Sequence, residues 1–259
     1  MFDTGEMANS IRQWSRSGLA DAVAPATALL GRDDRADHGG RPGRPAPGRD
    51  SILPAPSALA PLLPDGGLRR GSTLAIRGTG ATSLAFALLA EVGARDGWCA
   101  AVGLGSLGLL TAQHAGLDLA RLALVPDPGP DWPTVVAALL DAFEIVVLGP
   151  VGHASPHLQR RLAARVRERR RVLVSLGVDA LPQVTPDVAL TGVGGVWEGL
   201  GWGSGHLRRR QLQVRAEGRR LAGSSRQVTV WLPDAAGRVS THGAAPDRVP
   251  RPVLVEATA

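Results

Sequence analysis

Apolar positions in this chain fall into short uninterrupted runs, and between the runs they recur every three or four residues. Thr73, Leu74, Ala75 and Ile76 form the first clear run and predict a buried strand. A glycine-containing loop follows at Arg77, Gly78, Thr79, Gly80 and Ala81. Residues 82–94, with Leu84, Phe86, Leu88 and Leu89, then predict a helix. The same order repeats down the chain. Strands are predicted at 99–104, 122–125, 144–148 and 172–176, and helices at 107–115, 134–142 and 160–171. Ile145, Val146, Val147 and Leu148 are apolar without alternation, as in a strand buried on both faces of a parallel sheet. Strands alternating with helices predict an α/β fold with a doubly wound, mostly parallel sheet.

The pattern changes towards the C-terminus. Residues 188–191, 207–216 and 227–232 predict three strands with no helix between them, hence antiparallel strands at one edge of the sheet. Residues 192–205, between the first two, read as a glycine-rich loop carrying Trp197 and Trp202. Both ends of the chain differ from this core. Residues 31–50 are Gly, Arg, Asp and Pro in low-complexity order and cannot bury enough surface to offset their ordering entropy. A short helix is predicted within 9–30, with Ile11, Trp14 and Leu19 on its apolar side. The expected organisation is a disordered arm over 1–52, a core over 53–232 and a tail over 233–259. That tail ends in the apolar strip Pro252, Val253, Leu254 and Val255.

Composition narrows the chemistry. All 29 basic residues are arginine, and the net charge is +6 with a pI near 11.2. Such a charge permits contact with nucleic acid. Ala, Gly, Arg and Pro dominate, so much of the arginine bias reflects base composition of the gene. One cysteine, Cys99, rules out a disulfide within the chain and reads as a core residue. The six histidines show no ligand spacing, and no metal is expected. No apolar run approaches the length of a membrane span. The first ten residues carry acids and lack the apolar segment of a signal peptide, so a cytoplasmic location is expected. Gly203-Ser204-Gly205-His206 is not the glycine-flanked serine elbow of hydrolases.

A strand, a glycine loop and a helix in succession are the layout of a phosphate-binding loop. The loop Gly78, Thr79, Gly80, Ala81, Thr82 and Ser83 departs from that pattern, which sets two glycines around four residues and then Lys and Ser or Thr. It is too short, and Ala81 stands where the lysine belongs. The turn Asp65-Gly66-Gly67-Leu68, the pair Gly71-Ser72 before the strand and the phrase 116–122 (GLDLARL) resemble the core of RecA-type ATPases. That resemblance covers residues 60–232 and implies a RecA-like fold. It also implies where two further groups of an ATP site would stand. The metal-holding acid would end the strand 144–148, but Gly149-Pro150 follows; Glu144 lies at the far end. The water-activating acid would follow the strand 99–104, yet no carboxylate occurs between Asp96 and Asp118. With lysine and both acids missing, neither ATP hydrolysis nor a cofactor is expected.

Lysine-free, degenerate RecA-like chains with a Pro- and Arg-rich N-terminal arm are similar to the ImuA-prime family. The segment Trp197-Glu198-Gly199-Leu200-Gly201 resembles a segment of that family as well. This resemblance implies a non-catalytic accessory factor of DNA-damage-induced translesion synthesis. Its partner would be an ImuB-like inactive Y-family polymerase homologue and, indirectly, an error-prone polymerase subunit. Two other readings are a RecA-like ATP-binding recombination regulator and a cell-division inhibitor of the SulA kind. Two features are candidates for DNA contact. The first is Trp197 and Trp202 with Arg208, Arg209, Arg210, Arg215, Arg219 and Arg220; the second is the helix 160–171 with its seven arginines. Candidate partner-binding segments are residues 11–30 and the strip Pro252, Val253, Leu254 and Val255.

Overall fold

The computed structural model describes residues 51–177, 181–201, 204–221 and 223–243. The predicted arm, its helix within 9–30, Trp202 and the strip from Pro252 to Val255 lie outside these residues.

Strands β1 (Ile52–Leu53) and β2 (Leu68–Arg69) form a small antiparallel ribbon. The alternating part follows. It comprises β3 (Ser72–Gly78), α1 (Ala81–Gly93), β4 (Cys99–Val102), α2 (Leu109–His114), β5 (Leu122–Val125), α3 (Trp132–Ala142), β6 (Ile145–Leu148), α4 (Pro156–Glu168) and β7 (Val172–Leu176). Strands β8 (Val188–Gly201), β9 (Ser204–Glu217), β10 (Arg226–Trp231) and β11 (Ser240–Thr241) complete a nine-stranded sheet. Its order is β5-β4-β6-β7-β3-β8-β9-β10-β11. Pairing is parallel from β5 to β8 and antiparallel from β8 to β11. The fold is therefore mixed α/β, with a large, mostly parallel sheet and antiparallel strands at one edge.

The uninterrupted apolar runs have a simple cause. Along β6, Ile145 and Val147 enter one core with α1, while Val146 and Leu148 enter a second core with α3 and α4. Both faces are covered, so every position must be apolar. Helix α1 is buried along most of its length from Leu84 to Val92. Helix α4 shows the amphipathic alternative: Gln159, Leu162, Ala163 and Val166 face inward at helical spacing. Its start is set by Ser155, whose hydroxyl accepts from the Leu158 amide, and by Pro156 at the first helical position.

Three differences from the sequence reading have physical reasons. Strand β4 ends at Val102 rather than 104, because Gly103 turns the chain at φ +69°. Residues 192–201, 204 and 205 are strand rather than loop. They continue β8 and begin β9, and the glycines sit at two register shifts, Gly192/Gly194 and Glu198/Leu200. The β-forming residues between them, Val193, Val196 and Trp197, belong to the strand. The sheet also runs past residue 232, since β11 pairs with β10 at Val230 and Trp231. No helix among the described residues is long and apolar enough to cross a membrane.

Candidate functional site

The loop between β3 and α1 lies at the middle of the sheet. Gly78 and Gly80 both take φ +73°, a left-handed turn that a β-carbon would strain. The strand β8 closes the loop from the side. The Thr79 amide donates to the Gly192 carbonyl at 3.0 Å. A β-carbon on Gly192 would fall inside van der Waals contact of the Thr79 carbonyl, 2.8 Å from its carbon, so only glycine permits this approach. Gly80 caps α1 with no side-chain hydrogen bond, and no acid occupies the first turn. Thr82 is exposed there, while Ala81 and Ser83 are half-buried.

The C-terminal ends of β4 and β6, on the far side of β7 from the loop, are closed by backbone contacts. Gly103 donates to Val125 at 2.9 Å and Gly149 to Val102 at 2.8 Å. A β-carbon on Gly149 would lie 2.7 Å from the Gly103 carbonyl oxygen and 2.8 Å from Leu104 Cγ. A carboxylate therefore has no room where a metal-holding acid would stand. Glu144 is at the opposite end of β6 and accepts from Arg70 at 2.6 Å.

The second candidate feature is the hairpin of β8 and β9. Its distal part, residues 193–201 and 204–210, extends beyond the stretches where β8 pairs with β3 and β9 with β10. Opposite residues share a face. Trp197 faces Arg210, and the guanidinium carbon lies 5.1 Å from the indole centroid. Glu198 faces Arg209 on the other side and pairs with it at 2.7 Å. Arg209 also lies over Trp231 at 4.1 Å. Val196 and Leu200 stand on this second side by register, Leu207 lies within the register shift, and the three are 65%, 68% and 48% exposed. Such a group on a projecting hairpin is a surface suited to a partner.

The arginines singled out in the sequence do not form one free patch. Arg215 pairs with Glu217 at 3.1 Å, Arg219 with Asp187 at 3.0 Å, and Arg220 with Asp65 and Asp187. Arg210 is buried, and burial pulls its guanidinium below the usual value. Arg208 is exposed, with no ion pair among the described residues. On α4, Arg165 is hydrogen-bonded to Asp141, which holds its proton more tightly, and Arg169 pairs with the same acid at 3.0 Å. Arg160, Arg161, Arg167 and Arg170 are exposed. Among the described residues no group of His, Cys, Asp and Glu could hold a metal ion.

The structure thus brings together Gly78, Thr79, Gly80 and Arg210, which the sequence placed in two separate features. It also brings out Val196, Leu200 and Leu207, which the glycine-rich reading concealed; the alternation of apolar residues among the glycines was their only signal.

Residues 61–183, from the segment before β2 past the end of β7, match the family model described as the MT3502 N-terminal domain. A curated relative, the uncharacterized protein Rv3395c of Mycobacterium tuberculosis (strain ATCC 25618 / H37Rv), is 42% identical over 92 residues. The aligned part is 35% of this chain and 45% of that protein. The chain thus spans less than half the length of the curated relative it matches. The family match takes in the closed loop and both sealed strand ends and stops before the hairpin.

Proposed function

We propose that this chain is a RecA-like, non-catalytic adaptor of the ImuA-prime kind, acting in the cytoplasm in DNA-damage-induced error-prone translesion synthesis. Its partner is an ImuB-like inactive Y-family polymerase homologue, through which it meets an error-prone polymerase subunit. The parallel sheet with an antiparallel edge supports the RecA-like part of this reading. The similarity to the MT3502 N-terminal domain and to Rv3395c is consistent with it.

The observation that carries the non-catalytic part is the loop itself. A nucleoside triphosphatase needs a cation at the transferring phosphate, an acid for magnesium and a group to orient water. Here the lysine position is Ala81, Gly149 cannot accept a side chain, and the Thr79 amide is bonded to Gly192. What remains is a rigid scaffold with a projecting hairpin that carries exposed apolar residues. Such a scaffold acts by holding other proteins. The test is co-purification of the full-length chain with the ImuB-like protein from DNA-damaged cells. A stable complex supports the adaptor reading, and none, alongside recovery of FtsZ, would favour a division inhibitor.

A further inference from the structure

The net charge of the molecule lies on one helix. Residues 160–171, most of α4 and the turn after it, hold seven arginines and one acid, Glu168, a net +6. That equals the charge of the whole chain, because the other 22 arginines are offset by the other 22 acids. Base composition of a gene favours arginine over lysine, but it does not gather the uncompensated arginines in one segment.

The structure turns this excess outward. Gln159, Leu162, Ala163 and Val166 are buried against the core. Arg160, Arg161, Arg167 and Arg170 are exposed, and their guanidinium groups have no ion pair or hydrogen bond among the described residues. Asp141, on α3, is already shared by Arg165 and Arg169. Arg161 and Arg165, four apart on α4, repel one another. The fold gains no polar contact from the four exposed arginines, so their charge is available to a partner.

We infer that this face of α4 is a nucleic-acid site that holds the phosphate backbone without reading bases. The inference goes beyond the adaptor reading and does not depend on its protein partner. An anionic membrane takes up a basic helix through an apolar side that enters the lipid, and here Leu162 and Val166 are committed to the core. A protein interface is built on a desolvated apolar or aromatic centre. Leu158, 37% exposed, is the one large apolar side chain exposed on this helix. A phosphate backbone asks for cations, and the guanidinium fork matches its paired oxygens. Arg160 and Arg167 stand on one side of α4, two turns and about 10 Å apart, with the small Ala164 between them. That spacing gives a phosphodiester strand two grips and room to lie close to the helix. No Trp, Tyr or Phe occurs in 156–171, so no such ring stacks on bases there.

The experiment is a fluorescence-anisotropy titration of the full-length chain with a labelled DNA duplex and, separately, with labelled poly-glutamate. Four phosphate contacts on a duplex give a salt slope of about −3.6, a fall in affinity of about a hundredfold between about 50 and about 200 mM salt. Duplexes of two different sequences should bind alike, and both more tightly than poly-glutamate. In the variant carrying Arg160→Gln, Arg161→Gln, Arg167→Gln and Arg170→Gln, the slope should be no steeper than about −1, and binding at the lower salt should weaken at least about a hundredfold. These side chains are exposed and unpaired, so the variant should fold with an undiminished melting temperature. Lysine at the same four positions keeps the charge and should keep the slope. No binding of the duplex at the lower salt, a steep slope in the glutamine variant, or a shallow one in the lysine variant would each overturn the inference. Poly-glutamate binding as tightly as the duplex would overturn it too, in favour of an acidic polypeptide.

Discussion

At the scale of single residues, the most consequential positions are glycines held in place by close neighbours rather than by flexibility. Gly192 lies against Thr79, and Gly192→Ala should cost about 1–3 kcal/mol, as overpacking does. Gly194, two residues on, has nothing within 4 Å of its β-carbon position, so Gly194→Ala should unfold at nearly the wild-type denaturant midpoint. Equal midpoints for the two variants would contradict the closed loop. Ala81→Lys restores a lysine but neither acid, and no ATP turnover is expected by phosphate release; magnesium-dependent turnover would contradict the loss of the site. Cys99 makes a pH statement. Burial, with a smaller contribution from Glu144, pushes its thiol from 9.0 up to about 12. The folded state therefore holds the proton more tightly. The associated stability is present below pH 9.0 and is lost as pH rises towards about 12. Iodoacetamide at pH 9 should label Cys99 in denaturant and leave the native chain unmodified.

At the scale of elements, the hairpin carries the predictions. Replacing Val196, Leu200 and Leu207 together by serine removes exposed apolar surface, so stability should change by no more than about 0.5 kcal/mol per site. Binding to the ImuB-like protein should weaken if this side docks it, and a variant that binds as wild type places the interface elsewhere. The same hairpin limits DNA contact. If all six arginines met phosphates of a single strand, the salt slope would be about −4; with only Arg208 both exposed and without an ion pair it would be about −0.7. With the four exposed, unpaired arginines of α4 replaced, a shallow slope is expected in a filter-binding titration, and a steep one would mean that the ion pairs to Glu198, Glu217 and Asp187 open on binding.

Most of the alternating part was legible in the sequence because two-sided burial leaves a plain mark: Ile145 to Leu148 must be apolar throughout. The hairpin was not legible, because glycine at a register shift and glycine in a loop look alike without the partner strand. The missing lysine and acids could be read directly. The closure by Gly192 and the approach of Arg210 to Gly80 could not, since they join residues more than a hundred positions apart.

At the scale of the molecule, two cores grip one sheet, the loop at its centre is bonded to β8, and the distal part of β8 and β9 extends from the antiparallel part of the sheet. That arrangement suits a protein that holds others in place. The most direct measurement is a purification of the full-length chain together with the ImuB-like homologue, followed by analysis of the complex and of its ATPase activity. A stable complex without ATP turnover is the expected result. A full-length chain that leaves this partner unbound, or that hydrolyses ATP with magnesium, would contradict the adaptor reading.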